Sequence, residues 1–255
     1  MIGMTMTGLA ALGSGAIAAG PPETQPVIEV RQYKIVKGRR DAMIALFERE
    51  FIDSQEALGI RIIGQFRDLD DPDRFTWVRE FTSMTARATA LNAFYFGPHW
   101  QAHRDEANAL LDDNDNVLLL HPAAPDLGFG PQARSAVAGG PGELVVATIH
   151  YLWKDADEGF ARFFHDRMRP ALIAAGLPIL SAYVPERAPN NFPRLPVRQS
   201  EKLFVWFTRV ADSAAYHRAM TAVRADATIG PALADYEERA PQILRLAPTP
   251  RSALR

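Results

Sequence analysis

Two histidines and a carboxylate are spaced for joint chemistry on one predicted helix. The helix is predicted to begin at Pro98, since proline is favoured at the first helical position. His99 and His103 are four residues apart and share a face, and Glu106 lies about one turn further on. This group could hold a divalent metal, act as a general base or substrate contact, or form an exposed helix face; no third neutral ligand is visible. We take both histidines as candidate catalytic residues and Trp100 as a candidate ligand contact.

A second polar set lies on the first predicted strand. Alternation places Glu29, Arg31 and Tyr33 on one face and Ile28 and Val30 on the other. If the apolar pair faces the helices, the polar set points into the space between two sheets and could bind a ligand there. The alternative is a structural pair between the arginine and the carboxylate. We take the three polar residues as candidate ligand-binding residues.

Residues 184–200 form a third feature, a long segment with four prolines and three arginines. Loops beyond about 12 residues inside a compact domain are usually functional or disordered. The segment could be a lid over a barrel mouth or an arm that reaches a second subunit. Arg187, Arg194 and Arg198 could bind an anion or serve solubility.

Composition and absent motifs exclude several classes of function. The chain of 255 residues has 28 Lys+Arg against 30 Asp+Glu, so charge gives no drive toward DNA or RNA. It has no cysteine, which excludes disulfides, thiolate nucleophiles and cysteine-based metal sites. No glycine-rich dinucleotide motif, Walker loop, nucleophile elbow or His-Glu-x-x-His motif is found.

The elements that hold these residues form two copies of one unit. Residues 74–78 (RFTWV) reappear as 203–207 (LFVWF), and a glycine follows a helical pattern at Gly59 and again at Gly176. Each copy has the order strand, helix, strand, strand, helix, strand. That order is typical of the ferredoxin-like fold. We therefore predict an α+β protein with two ferredoxin-like βαββαβ repeats.

The repeat divides the chain into segments. We expect a first repeat at 27–123, a Gly/Pro-rich linker at 124–142, a divergent second repeat at 143–249 and a tail at 250–255. Residues 1–26 are expected to be disordered or signal-like, because they begin with an uncharged stretch that ends in small residues but lacks a basic start.

A ferredoxin-like sheet carries helices on one face only, so its other face needs a cover. The second copy supplies another sheet, and we expect the two sheets to face each other in one barrel-type arrangement. His150 aligns with Tyr33, so Arg31, Tyr33 and His150 would meet in an inter-sheet cavity. We take His150 as a third candidate catalytic residue; its alternative role is a hydrogen-bonded core histidine.

Several segments of the first repeat together point to a known family. They are Glu29-Val30-Arg31-Gln32-Tyr33, Lys37-Gly38-Arg39, the strand 59–66, Phe75-Thr76-Trp77 and Phe94-Tyr95-Phe96-Gly97-Pro98. These segments resemble the NIPSNAP family of the dimeric α/β-barrel superfamily, which implies a barrel of two sheets with helices outside. The second repeat is more divergent, and Pro170 within its first helical pattern is expected to kink that helix.

The resemblance implies no single reaction, because the family's activity is poorly defined and the wider superfamily includes monooxygenases, haem enzymes, cyclases and stress proteins. We expect a protein that binds a small apolar or aromatic molecule in the inter-sheet cavity, or an interaction module. The alternative is a cofactor-independent monooxygenase or isomerase using a His/Arg/Tyr-lined pocket. No cofactor is predicted, and haem and a divalent metal stay open.

We expect no nucleic-acid partner and no membrane span, and the protein could form a homodimer. The expected compartment is the cytoplasm, or outside it if residues 1–20 act as a signal peptide.

Overall fold

The computed structural model describes residues 25–131, 143–156 and 159–255. Residues 1–24 of the predicted disordered or signal-like segment and residues 132–142 of the predicted linker lie outside this part. Across the described ranges, no helix has both the length and the apolar character needed to cross a membrane.

Each repeat supplies four strands of the barrel, and the first repeat has one additional short strand. The first repeat contains β1 (Val27–Ile35), β2 (Arg61–Asp68), β3 (Arg74–Phe81), a short additional strand β4 (Leu111–Asp113) and β5 (Val117–Pro122). The second repeat contains β6 (Leu144–Leu152), β7 (Ile179–Pro185), β8 (Leu203–Val210) and β9 (Glu237–Pro248).

Helices connect the strands in the predicted order. In the first repeat α1 has three parts, Arg40–Leu46, a π-helical turn at Phe47–Phe51 and Asp53–Glu56, and it is followed by α2 (Met84–Tyr95) and α3 (Pro98–Asn108). In the second repeat α4 also has three parts, Phe160–Phe163, a π-helical turn at Phe164–Met168 and Arg169–Ala174, followed by α5 (Ser213–Ala225) and α6 (Ile229–Tyr236).

The two sheets join edge to edge into one closed barrel. The strand order is β5-β1-β3-β2 in the first repeat and β9-β6-β8-β7 in the second, and all neighbouring strands are antiparallel. The seams β2–β9 and β5–β7 are equivalent, because Phe66 pairs with Pro248 just as Tyr183 pairs with Pro122. The predicted fold of two ferredoxin-like repeats closing one barrel within the chain is therefore confirmed.

Apolar side chains from both sheets fill the barrel interior. Ile28 and Val30 of β1 are buried there together with residues of every other barrel strand. Phe129 and Leu254, from the segments that follow β5 and β9, are buried in the same cluster. The start of the predicted linker and the end of the predicted tail are thus packed parts of the structure.

The predicted orientation of β1 is wrong. Since Ile28 and Val30 face the barrel interior, Glu29, Arg31 and Tyr33 lie on the outer face of the sheet, beneath the helices of their own repeat. Both faces of a strand in a helix-covered barrel are buried, so alternation separates the two faces without saying which one is inside.

Both repeats contain the π-helical turn in the first helix. The turns at Phe47–Phe51 and Phe164–Met168 occupy equivalent positions between the strand and the glycine that ends the helix, Gly59 or Gly176. Pro170 follows the second turn, but the first repeat has the same turn without a proline. The helix α4 is thus irregular next to Pro170, although the turn in the first repeat shows that it can also form without a proline.

Candidate ligand-binding site

A pocket of about 350 Å³ lies on the outer face of the first sheet, beneath its helices. Small-molecule sites are typically concave, largely apolar spaces of this order of size. Its wall includes Tyr33, Trp77, Phe47, Phe51, Gln55, Phe94, Tyr95, Trp100, Arg104, Leu111, Phe192 and Leu195. Eight aromatic rings, from strands, helices and the second repeat, therefore contribute to this wall.

A buried charge cluster lies on the same face of the sheet. The Glu29 carboxylate is contacted by Arg31 Nη1 at 2.5 Å, by Arg79 Nε at 2.8 Å and by Arg87 Nε at 2.7 Å. All four side chains are fully buried. The Gln55 side-chain oxygen also accepts a hydrogen bond from Arg79.

One carboxylate against three guanidiniums leaves this cluster with two positive charges in excess. Burial by itself would raise the pKa of the Glu29 carboxyl, but Arg79, Arg31 and Arg87 hold that pKa well below its usual range. Glu29 is therefore ionised at neutral pH. Nη2 of Arg31 has no hydrogen-bond partner among the described residues. The Arg31 charge itself is paired with Glu29, but a buried donor without an acceptor is costly, so Nη2 would gain from a further acceptor.

Tyr33 and Trp77 both line the pocket, and each has a hydrogen-bond donor. Arg31 Nε donates to the Tyr33 hydroxyl at 2.7 Å, which leaves the hydroxyl proton available to another acceptor. Burial raises the pKa of Tyr33, so the side chain is a neutral phenol at pH 7. The buried Nε1 of Trp77 has no acceptor within the described residues. Buried donors normally have partners, so these two groups are suited to a bound acceptor.

The equivalent donors of the second repeat are satisfied. Trp206 Nε1 donates to His150 Nε2 at 3.0 Å, and His150 Nδ1 lies 2.7 Å from the Glu237 carboxylate. Because Nε2 accepts, the proton is assigned to Nδ1. His150 is thus a hydrogen-bonded core residue under the helices of the second repeat, and it does not meet Arg31 or Tyr33 as we had expected.

The charged cluster also has no counterpart in the second repeat. The positions of Glu29, Arg31, Arg79 and Arg87 are occupied there by Val146, Thr148, Thr208 and Tyr216. Thr148 and Tyr216 share a hydrogen bond of 2.7 Å between their hydroxyls. A ferredoxin-like repeat of this barrel therefore forms without the cluster.

The loop between β7 and β8, residues 186–202, covers the pocket and is called the lid loop below. Phe192 stacks on Tyr95 with ring centroids 5.7 Å apart, and the side-chain oxygens of Asn190 and Asn191 accept hydrogen bonds from Arg87 at 3.1 and 2.6 Å. The lid loop thus covers the sheet–helix pocket of the first repeat, whereas we expected a lid over the barrel mouth or an arm to another subunit.

The three arginines of the lid loop have separate partners. Arg187 pairs with Asp155, Arg198 pairs with Glu201, and Arg194 lies over the ring of Phe96. They do not form one anion site, although Arg194 contributes to the pocket wall.

His99 and His103 lie outside the pocket. Their Nε2 atoms approach the Glu50 carboxylate on the outer side of α1, while Trp100 between them lines the pocket. Glu106, the predicted carboxylate partner, instead lies 3.5 Å from Arg49. No histidine is among the described residues that line the pocket.

Several residues of the site were not found from the sequence. Glu50, Gln55, Arg79 and Arg87 are not among the residues that the sequence analysis singles out, and Trp77 appears there only as part of a segment that resembles the family. The available signal was the difference between the repeats, since charged residues of the first copy align with neutral residues of the second. That comparison extends from the opening strand to β3 and α2.

The closed barrel of two ferredoxin-like sheets with helices outside defines a dimeric α/β-barrel protein, here built within one chain. Residues 28–125 match the model of the NIPSNAP family. The first repeat is therefore a NIPSNAP domain, as its sequence implied.

Two solved structures are similar to almost the whole chain. A protein from Fusobacterium nucleatum, described as a candidate monooxygenase, has a TM-score of 0.59 and 12% identity, with 88% of this chain and 93% of that chain covered. A second protein described as a candidate monooxygenase, from Lactobacillus acidophilus, has a TM-score of 0.54 and 15% identity, with 88% of this chain and 94% of that chain covered. At these identities the likeness shows the fold alone.

A NIPSNAP family protein of unknown function from Agrobacterium tumefaciens is 20% identical over 39% of this chain and 89% of its own, with a TM-score of 0.36. No curated protein matches the chain.

Proposed function

We propose that this protein binds a small aromatic molecule with an anionic oxygen in the sheet–helix pocket of the first repeat. The observation that carries the proposal is that two residues lining the pocket, Tyr33 and Trp77, have hydrogen-bond donors with no acceptor among the described residues, whereas their counterparts in the second repeat are closed into a hydrogen-bonded chain. The pocket replaces the inter-sheet space as the site of binding, because apolar side chains fill the barrel interior.

The wall favours a flat ring. Phe51 and Phe94 are both inclined to Trp100 at 5.5 and 5.8 Å, and Tyr95 meets Trp100 edge to face at 4.9 Å. Rings held in such arrangements leave faces and edges for another aromatic ring. The Phe192 ring of the lid loop limits the space on the solvent side.

The charge favours an anionic acceptor such as a carboxylate or phenolate. Tyr33 is hydrogen-bonded to Arg31, whose cluster with Glu29 has excess positive charge. A phenol that accepts from a guanidinium is polarised and becomes a stronger donor to a ligand. The ligand oxygen would also lower the cost of the excess buried charge.

We propose binding rather than histidine-based catalysis. Of the three candidate catalytic histidines, His99 and His103 lie outside the pocket, and His150 belongs to the other repeat. The two fold relatives are described as candidate monooxygenases. Oxygen uptake in the presence of a bound ligand would test that reaction for this chain.

The test uses isothermal titration calorimetry with 2-naphthoate and its neutral analogue 2-naphthamide. We expect 2-naphthoate to bind the wild-type protein at least about tenfold more tightly, as one charge-assisted hydrogen bond contributes about 1.5 kcal/mol or more. Tyr33→Phe should weaken 2-naphthoate binding by about the same factor. Tyr151→Phe is the matched control, because its hydroxyl bonds to Gln242 and its ring belongs to the barrel interior.

Either of two results would overturn the proposal. One is no preference for 2-naphthoate over 2-naphthamide in the wild-type protein. The other is equal 2-naphthoate affinity of Tyr33→Phe and wild type while circular dichroism shows both to be folded.

A further inference from the structure

Glu50, His99 and His103 converge on the outer side of the first repeat. Nε2 of His103 lies 3.3 Å from Glu50 Oε2, and Nε2 of His99 lies 3.5 Å from the same oxygen. Among the described residues, these three side chains form a set whose ligand atoms all lie within 4.8 Å of one another. The set joins α3 to the π-helical turn of α1.

The separations match those of a metal centre. Metal–nitrogen and metal–oxygen bonds to Zn²⁺ are about 2.0–2.2 Å, so two ligands at a tetrahedral angle are about 3.3–3.5 Å apart. Both nitrogen–oxygen separations fall on this value. We propose that Glu50, His99 and His103 form a binding site for a divalent transition metal such as Zn²⁺, with the remaining coordination positions open to solvent.

The surroundings orient the carboxylate for this role. Arg49 Nε donates to Glu50 Oε1 at 2.7 Å, which leaves Oε2 turned toward the two imidazoles. A glutamate carboxylate is ionised at neutral pH, as a metal ligand must be. Glu106 lies 3.5 Å from Arg49 and offsets its positive charge near the site.

The two imidazoles are also held in place. The Phe51 ring packs edge to face against His99 at 6.5 Å and against His103 at 6.4 Å. His99 Nε2 lies 2.8 Å from the main-chain oxygen of Glu50. Metal binding replaces that contact, and the ring proton then lies on Nδ1, so the histidine binds as a neutral ligand.

The second repeat shows that the barrel does not need these groups. Arg167, Ala232 and Tyr236 stand at the positions of Glu50, His99 and His103. One position carries the opposite charge and another has no polar side chain. The ligand set is thus specific to the repeat that contains the pocket, although the metal site does not depend on the proposed ligand.

The experiment is Zn²⁺ titration of the full-length, tag-free protein by calorimetry, with Co²⁺ absorption spectra as a second measurement. We expect one site per chain, and a visible Co²⁺ d–d band. His103→Ala and Glu50→Gln should each weaken Zn²⁺ binding at least tenfold. His165→Ala is the matched control, because His165 is also a surface histidine beside a carboxylate but lies in the second repeat.

The outcomes are distinct. Loss of affinity in His103→Ala and Glu50→Gln, with retention in His165→Ala, supports the site. Equal affinity in all four proteins, or no calorimetric binding of Zn²⁺ at 100-fold molar excess, overturns it. Since His103 is partly exposed and Glu50 lies on the outer side of α1, both variants are expected to fold, and circular dichroism checks this.

Discussion

Replacement of Glu29 by glutamine should destabilise the protein far more than loss of an ordinary ion pair. The substitution keeps the size of the side chain but removes the one negative charge that contacts Arg31, Arg79 and Arg87. Three fully buried guanidiniums would then share no anion. The amide nitrogen would moreover direct donor hydrogens toward groups that can only donate.

The expected magnitude follows from the burial of the cluster. Removing one partner of a buried ion pair costs about 3–5 kcal/mol. At about 2–4 °C per kcal/mol for a chain of this size, the melting temperature should fall by about 6–20 °C. Because single-domain proteins are typically stable by about 5–15 kcal/mol, the variant should remain folded but be markedly weakened.

Glu80→Gln is the matched control for this measurement. Glu80 contacts Arg61 at 2.6 Å, but Arg61 is about one-third exposed. Solvent screens such a pair, so its loss should cost no more than about 1 kcal/mol. Urea unfolding followed by circular dichroism compares the two variants. Similar losses of unfolding free energy in Glu29→Gln and Glu80→Gln would refute the role we assign to the buried cluster.

The Glu29 carboxylate should also make the free energy of unfolding depend on pH in the acidic range. The three guanidiniums lower the pKa of Glu29 in the folded protein, whereas the unfolded chain has the ordinary value of about 4.3. Its contribution is therefore complete above about pH 4.3 and is lost as pH falls toward the folded-state pKa. Below about pH 4.3 the unfolding free energy should fall less steeply in Glu29→Gln than in the wild type.

Two further predictions concern the equivalent residues Trp77 and Trp206, and His150, which accepts the hydrogen bond of Trp206. Trp206→Phe should cost about 1 kcal/mol more unfolding free energy than Trp77→Phe, because only Trp206 donates a hydrogen bond to another side chain; equal losses in urea unfolding would contradict this. Burial lowers the pKa of His150, so its imidazole should still be neutral just below its ordinary pKa of about 6.5. Histidine ¹⁵N NMR measures this, and a charged ring there would show the Trp206–His150–Glu237 chain to be wrongly assigned.

The fold could be predicted from the sequence because the internal repeat can be recognised by comparing short segments of the chain with one another. The recurrence of residues 74–78 at 203–207, together with the glycines that end the first helices, sets the order of elements in both halves. Closure of the barrel then follows, because each sheet has a face without helices and both belong to one chain. These steps require no knowledge of which distant side chains meet.

The charge cluster around Glu29 could not be predicted from the repeat. Glu29 and Arg31 are two residues apart, but the partners that hold the carboxylate come from β3 and α2, 50 and 58 residues further along. The alternation of β1 is compatible with either orientation, and polar residues seemed better suited to a cavity than to a helix interface. Three arginines make burial of Glu29 favourable at that interface, so the orientation depends on tertiary contacts.

The carboxylate of the candidate metal site was missed from the sequence for a related reason. His99 and His103 were recognised from their spacing, but the carboxylate was sought on the same helix, where Glu106 follows. The ligand that completes the set is Glu50, which lies beside Phe51 in a helix whose apolar residues dominate the pattern. A π-helical turn alters the helical register at this point, so the direction of Glu50 does not follow from a regular 3.6-residue period.

Duplication within one chain explains why the two halves can differ at the site. In a dimer of identical subunits, each substitution occurs twice, so both sheet–helix layers must change together. Here the barrel needs both sheets, but among the described residues the three fully buried arginines and the tryptophan Nε1 without an acceptor all belong to the first repeat. The second repeat closes its own hydrogen-bond chain from Trp206 to Glu237 and supplies the lid loop.

The lid loop connects the two repeats in one direction: the second repeat covers the pocket of the first, but in the described part of the chain the first repeat has no such loop over the second. It lies between β7 and β8 and reaches Arg87 and Tyr95 of the first repeat, whereas the equivalent connection between β2 and β3 contains only residues 69–73. That short connection is too small to cover the second repeat in the same way. Because each half has a separate task, the stability of the closed second layer can offset the cost of unsatisfied donors and excess charge in the first.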